Sequence, residues 1–89
     1  MARMAYSESF LKSRASVVST RTRARVDKML RTIEQMPGVG SSLAAPSVRE
    51  RYGQHVLKAL VSPYLIIYEY DRAQDTALIY DLINCWTVQ

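Results

Sequence analysis

The sequence predicts an α+β fold in which an N-terminal helical hairpin packs on one face of a small antiparallel sheet of three to four strands. The first observation is a β-hairpin signal, because two runs rich in β-branched and aromatic residues, 64–71 and 76–84, flank the polar loop 72–75. The second is the helical spacing of apolar residues before residue 36. The third is length, since 89 residues form one domain, 1–89, that buries roughly 60 to 65% of its unfolded surface.

The N-terminal half is predicted to form a short strand and two helices. Residues 3–6 suit a strand, and Ser7 is a candidate N-cap for a first helix. Ser19 and Thr20 indicate a break and a second cap, and Pro37-Gly38 ends the second helix. The apolar residues at helical spacing are Phe10, Leu11, Val17 and Val18 in the first helix, and Val26, Met29, Leu30, Ile33 and Met36 in the second.

The C-terminal half is predicted to be a three-stranded antiparallel meander, with the N-terminal strand as an optional fourth member. Residues 37–47 hold two of the three glycines, two prolines and three serines, which is typical of a loop. Residues 48–52 suit either a helical turn or the entrance to a strand, and Gly53 breaks them in both cases. A strand over 56–61 then turns at Ser62-Pro63 into the hairpin.

The third predicted strand is apolar on both of its faces at its start. Tyr64, Ile66 and Tyr68 share one face, while Leu65 and Ile67 share the other. We therefore expect burial on both sides, with the helices covering one face and a partner covering the other. The sequence does not distinguish the two faces.

Charge is distributed unevenly along the chain. Residues 1–36 carry eight basic and three acidic residues, a balance of +5, whereas residues 37–89 carry four and five, a balance of −1. The basic character therefore belongs to the helices. The polar side of the second helix carries Arg21, Arg25, Lys28 and Arg31. Such a face fits an acidic protein segment, a phosphate backbone or plain solvent.

Several classes of protein are disfavoured by composition. No apolar run approaches the ~20 residues of a membrane span, and the start of the chain is too polar for a signal peptide. The single cysteine, Cys85, excludes an internal disulfide, and with one histidine it argues against a structural zinc site. Gly38-Val39-Gly40 lacks the third glycine of a phosphate loop. We therefore expect a cytoplasmic protein without metal or cofactor.

RNA cleavage by attack of the 2′-hydroxyl is one reaction to consider, and the residues for it are too few and too mixed to make a strong case. That reaction needs a base, cations for the phosphorane charge and an acid for the leaving oxygen. The candidates of the sheet half are His55, Lys58, Arg49, Arg51, Glu69 and Asn84. The candidates for partner binding are Leu65, Ile67 and Trp86, together with Arg21, Arg25 and Lys28. Trp86 suits base stacking, insertion into a partner, or closure of the core edge.

The order of these elements resembles the RelE/ParE toxins of bacterial type II toxin–antitoxin systems over nearly the whole chain. The segments that carry the resemblance are Tyr6-Ser7-Glu8-Ser9-Phe10, Met36-Pro37-Gly38-Val39-Gly40 and Val61-Ser62-Pro63-Tyr64-Leu65-Ile66-Ile67-Tyr68-Glu69. The resemblance implies a partner antitoxin, often acidic, that wraps the toxin with a helix and an extended segment, commonly in a heterotetramer. It also implies one of two targets, since ribonuclease members cleave mRNA on the ribosome and ParE members inhibit DNA gyrase.

The sequence departs from the ribonuclease branch of that family. Leu65 stands where those members usually place an arginine, and Asn84-Cys85-Trp86-Thr87 stands where they place basic residues or histidine. Only Lys58 falls near a basic position of the second strand. We therefore favour a ParE-like binding toxin over an mRNA endoribonuclease. A third hypothesis, from another class, is a small nucleic-acid-binding module, although Arg21, Arg23 and Arg25 scatter charge around their helix.

Overall fold

The computed structural model describes residues 1–42 and 45–85 and has an α+β architecture, as predicted. Two helices cover one face of a four-stranded sheet, and a third, short helix lies against the other. The elements in chain order are β1 (Arg3–Tyr6), α1 (Glu8–Ala15), α2 (Thr20–Gln35), a 3-10 turn (Pro37–Val39), α3 (Pro46–Tyr52), β2 (Leu57–Val61), β3 (Tyr64–Asp71) and β4 (Thr76–Asn84).

The sheet is mixed, with strand order β1-β4-β3-β2. The meander β2-β3-β4 is antiparallel, as expected, whereas β1 pairs parallel to β4 from Arg3 opposite Thr76 to Tyr6 opposite Ile79. A register shift after Ile67 leaves Tyr80 without a partner across the β3–β4 ladder. This shift changes which side chains of β4 face each layer.

The main core lies between the sheet and the helical hairpin. Three residues of α2, Val26, Leu30 and Ile33, pack in this core with Ile66 and Tyr68 of β3. Phe10 of α1 and residues of β2 and β4 complete it. The face that carries Tyr64, Ile66 and Tyr68 is thus the one that the helices cover. The buried members of this core are Phe10, Val17, Val26, Leu30, Ile33, Ala59, Val61, Ile66, Tyr68, Ala77, Ile79 and Leu82.

The helix termini follow the predicted caps. The Ser7 hydroxyl accepts the Phe10 backbone N–H at 3.0 Å, and the Ser19 hydroxyl accepts that of Thr22 at 3.2 Å. Arg14 of α1 and Asp27 of α2 form a two-point ion pair, with Nε–Oδ1 at 2.8 Å and the second contact at 2.6 Å. The hairpin is therefore tied by charge as well as by apolar packing.

Two apolar positions of the first predicted helix are not in the core. α1 ends at Ala15, so Val18 lies in the linker and is 92% exposed. Leu11 lies next to the buried Phe10 on the helix but points outward and is 52% exposed. Only one face of this eight-residue helix points toward the sheet, and Phe10 is the buried residue on that face.

The segment 48–52, for which two structures were open, is helical and belongs to α3. The helix begins at Pro46, which suits the first turn because its missing N–H needs no acceptor there. It ends at Gly53, whose φ of +115° is easily adopted only by glycine. Its buried residue Val48 packs with Val56 and Ile67 in a second, smaller core on the far face of the sheet.

Candidate functional site

The candidate site is an apolar groove beside β2, the edge strand of the sheet. It encloses about 550 Å³ and is called the β2 groove below. Residues from α2, the loop after it, α3 and the two neighbouring strands form its walls. They are Met29, Val39, Ser41, Ala45, Val48, Lys58, Ala59, Leu60, Leu65, Ile67 and Cys85.

The wall formed by the loop after α2 is fixed by the buried phenol of Tyr68. Its hydroxyl accepts the Gly40 N–H at 2.8 Å and donates to the Pro37 carbonyl at 2.8 Å. Burial raises the pKa of Tyr68, and the bond from Gly40 partly opposes that rise. Ser41 then pairs with Lys58 through two backbone bonds of 2.9 Å. The loop thus continues the sheet for one residue pair before it leaves β2.

The wall formed by α3 is held by a buried carboxylate. Asp81 is 5% exposed, and its two oxygens accept the Tyr52 hydroxyl at 2.6 Å, the Ser13 hydroxyl at 3.3 Å and the Leu82 N–H at 2.9 Å. Burial, followed by the bond to Asp81, raises the pKa of Tyr52 to about 12. Tyr52 also stacks on Tyr80, with ring centroids 6.4 Å apart. Asp81 therefore joins α1, α3 and β4.

The predicted catalytic residues are spread over several places. Lys58 is half-buried in the β2 groove, whereas His55 is exposed in the turn before β2. Glu69 accepts the Tyr80 hydroxyl at 3.5 Å, and Tyr80 has its pKa raised by burial and by that carboxylate. Asn84 lies at the end of β4, opposite Tyr64.

The two arginines of α3 lie outside the groove lining. Arg49 is half-buried with its Nε atom unpaired, and Arg51 is exposed with its guanidinium 5.3 Å from the centre of the Tyr52 ring. Among the described residues, the groove lining has one cation, Lys58, and neither a carboxylate nor a histidine. The described lining thus supplies Lys58 but neither a histidine nor a carboxylate to act as base or acid in RNA cleavage.

The predicted partner-binding residues divide into three groups. Leu65 is half-buried and lines the groove, but Ile67 is 0% exposed because Val48 and Val56 cover it. Ile67 therefore lies in the groove lining without exposed surface of its own, and α3 covers it on the face where a partner was expected. Trp86 lies outside the described residues.

The third group is basic and lies on the outer surface of α2. Arg21, Arg25 and Lys28 are exposed and follow each other at four- and three-residue spacing, so they form one row, called the basic row below. Arg25 donates to the Ser62 carbonyl at 3.1 Å, which places this row beside the turn after β2. Arg23 points elsewhere and has a buried Nε atom. Charge on this helix is thus less scattered than its sequence suggested.

Two features of the site are not predicted by the sequence pattern. Leu60, at the rim of the groove, is 61% exposed although it lies inside an apolar run. Asp81 is a charged residue within the apolar stretch of β4, and that interruption was the available signal for a buried carboxylate with partners. Among the described residues, no three His, Cys, Asp or Glu side chains gather closely enough to hold a metal ion. Nor is any described helix long and apolar enough to cross a bilayer.

Comparison with known proteins shows a similar fold at low sequence identity. No family model matches the chain, and no curated protein matches it. The crystal structure of the isolated E. coli RelE toxin matches with a TM-score of 0.72 at 14% identity, covering 94% of this chain and 84% of the toxin chain. A chain of the intact E. coli RelBE toxin–antitoxin complex matches with a TM-score of 0.71 at 15% identity, covering 94% and 96%. The chain therefore has a RelE-like fold.

Proposed function

We propose that this chain is a single-domain toxin, residues 1–89, of a type II toxin–antitoxin system, which acts in the cytoplasm and is neutralised by a cognate antitoxin. The observation that carries the proposal is the RelE-like fold, which extends over 94% of the chain. One of the two matched structures is a toxin–antitoxin complex. The sequence resemblance to RelE/ParE toxins supports it independently. A heterotetramer of two toxins and two antitoxins is the assembly that the resemblance to this family favours.

Within that function, we favour a toxin that binds a protein target such as DNA gyrase over one that cleaves mRNA. The support is chemical, because the β2 groove is lined mainly by apolar side chains and its single described cation is Lys58. A phosphorane carries two negative charges that a leucine at position 65 does not stabilise. Apolar surface with few polar groups is instead what protein interfaces bury at their centres.

Induced expression of the chain alone in a bacterial host tests the toxin assignment. Growth should stop while the protein stays soluble. Unimpaired growth at a high level of soluble protein would contradict the assignment. Co-purification should then show whether two copies of each protein assemble, as the proposed heterotetramer requires.

Assays with purified protein and the phenotype of expressing cells separate the targets. A gyrase inhibitor should block ATP-dependent supercoiling of relaxed plasmid and leave cell-free translation intact. Cells that express it should form filaments with damaged DNA. An mRNA endoribonuclease should instead cut messages on translating ribosomes, which primer extension detects. In the second case, Lys58→Gln should reduce cleavage roughly a hundred-fold, because it removes the only cation in the described groove lining.

A further inference from the structure

Strand β1 is the edge of the sheet opposite β2, and its outer side carries free backbone groups. The N–H groups of Arg3 and Ser7 point inward toward β4, with bonds of 2.8 and 2.9 Å. Successive residues of a strand direct their N–H and C=O groups alternately to its two sides. The N–H and C=O groups of Met4 and Tyr6 therefore point outward, away from the sheet.

The open stretch of this edge is short, because helices close both of its ends. At one end, Ala2 donates its N–H to the Glu34 carbonyl of α2 at 2.8 Å. At the other end, α1 begins at Glu8. In the part of the chain that the structure describes, no hydrogen bond reaches the outward groups of Met4 and Tyr6. These two residues are thus free to pair with another extended strand.

Only one register of two antiparallel β1 strands uses both free residues in both copies. A two-fold axis at Ala5 sets Met4 of one copy opposite Tyr6 of the other, and each such pair exchanges its N–H and C=O bonds. An axis at Met4 would set Tyr6 opposite Ala2, whose N–H is already bonded. An axis at Tyr6 would set Met4 opposite the helical residue Glu8. The free groups of β1 are therefore complementary to those of a second copy.

The side chains of β1 suit that register on both faces of the sheet. On the helical face, Tyr6 is 43% exposed and stacks on Phe10, and Met4 packs against the main core. Met4 opposite Tyr6 gives a thioether–aromatic contact that continues the main core across the axis. On the other face, the exposed Ala5 lies at the axis, where its small side chain lets the two copies approach.

The charges beside β1 are balanced. The cleft along this strand is lined by two cations, Arg14 and Arg31, and by two carboxylates, Asp27 and Glu34. Arg14 and Asp27 pair with each other, whereas Arg31 and Glu34 take part in no described ion pair. A second copy that approaches β1 therefore meets no net charge and finds groups of both signs. At β2, by contrast, the basic row would approach its own copy, so charge favours self-association at β1.

We propose that two copies of this chain associate through antiparallel β1 strands, with Met4 paired to Tyr6 and Ala5 on the two-fold axis. The two four-stranded sheets then form one continuous sheet. Pairing of a few residues buries little surface, so we expect a weak dimer with a dissociation constant on the order of 100 µM. The contact requires neither an antitoxin nor a target, so the growth assay does not bear on it.

Sedimentation of the full chain with charge variants at Ala5 tests the axis. Ala5→Lys and Ala5→Glu each place like charges directly opposite one another, and each should weaken association by about five-fold. An equimolar mixture of the two variants pairs lysine with glutamate and should associate within about two-fold of the wild type. Leu60→Lys adds the same charge at an exposed position of β2, the other edge strand, and should associate as the wild type does.

Amide exchange of the unmodified chain gives a second readout that does not depend on the folding of any variant. At about 1 mM protein, the N–H groups of Met4 and Tyr6 should exchange several-fold more slowly than at about 20 µM, where the chain is mostly monomeric. The N–H of Leu60, on the other edge strand, should exchange at the same rate at both concentrations.

Several results would overturn the proposal. A chain that stays monomeric at millimolar concentration has no such contact. A dimer that Ala5→Lys leaves intact forms elsewhere, and a dimer that Leu60→Lys dissociates forms at β2. If each Ala5 variant is monomeric and their mixture is monomeric as well, the two Ala5 residues do not face each other. Exchange of Met4 and Tyr6 that is independent of concentration would exclude pairing at β1 in the unmodified chain.

Discussion

Replacing Tyr68 with phenylalanine should loosen the loop that forms one wall of the β2 groove. The side chain is 0% exposed, so phenylalanine keeps the apolar packing and removes only the hydroxyl. That hydroxyl links β3 to Gly40 and Pro37 by two bonds of 2.8 Å. The substitution therefore isolates the polar tether between the sheet and the loop.

The magnitude follows from the two lost bonds. A typical intramolecular hydrogen bond contributes about 1 kcal/mol net, and a buried group left without a partner costs more, so we expect a loss of about 2 kcal/mol. In a domain of this size, 1 kcal/mol shifts the melting temperature by about 4–8 °C, which predicts a decrease of roughly 8 to 16 °C. The amide of Gly40 should also exchange faster with solvent, because it loses its acceptor.

Thermal unfolding followed by circular dichroism measures this change. Tyr70→Phe is the matched control, because Tyr70 is on the same strand and its hydroxyl bonds the exposed Asp75. We expect the control to melt with the wild type. If Tyr68→Phe also melted with the wild type and left Gly40 exchange unchanged, the hydroxyl would not anchor the loop.

Three further predictions concern neighbouring features. Gly40→Ala should destabilise the protein, since an added Cβ would lie 2.6 Å from the buried phenol oxygen, whereas Gly38→Ala meets nothing within 4 Å and should unfold at the wild-type temperature; equal melting of the two would contradict the close approach. Because the pKa of Tyr52 is raised to about 12, its stabilising contribution is present below pH 10 and lost as the pH rises toward 12. Tyr52→Phe should therefore show a flatter loss of stability over that range, and an unchanged alkaline profile would refute the bond. The pKa of Asp27 is lowered by the bond from Arg14, so its contribution is present above about pH 4 and fades as the pH falls. Asp27→Asn should cost about 0.5–1 kcal/mol at pH 7, given the partial exposure of the pair, and the difference should vanish in acid.

The elements that the sequence predicted well are those with a local signal. The apolar stripe of α2 appears as the row of Val26, Leu30 and Ile33 that packs on the sheet. The serine caps of both helices and the β3–β4 hairpin are also where the pattern placed them. Each of these depends on residues a few positions apart, so a single sequence contains the required information.

The features that the sequence did not determine depend on contacts between distant segments. Strand β1 pairs parallel to β4, about seventy residues later, and nothing in either segment specifies that neighbour. The expectation that a partner covers Ile67 was wrong for this structure because α3 covers it, and residues 48–52 gave no clear helical signal. The buried position of Asp81 likewise depends on Tyr52 and Ser13 meeting it from two helices.

The structure places some of the residues named from the sequence around one groove. Lys58, a catalytic candidate, lines the β2 groove with the partner-binding candidates Leu65 and Ile67, whereas His55, Glu69 and Asn84 are not in its described lining. The tyrosines of β3 are part of the motif on which the family resemblance rests. The structure gives one of them a physical role, because the Tyr68 hydroxyl bonds Gly40 and Pro37 and so holds the loop that forms one wall of the groove. Leu60 could not be singled out, because its exposure follows from the edge position of β2.

Colony formation after induction tests the central claim most directly. The chain is expressed alone, and in parallel with the product of the adjacent reading frame, at matched levels of soluble protein. We expect the chain alone to reduce colony counts by orders of magnitude and co-expression of the neighbour to restore them through a stable complex. Full colony counts from cells that contain abundant soluble chain would contradict it.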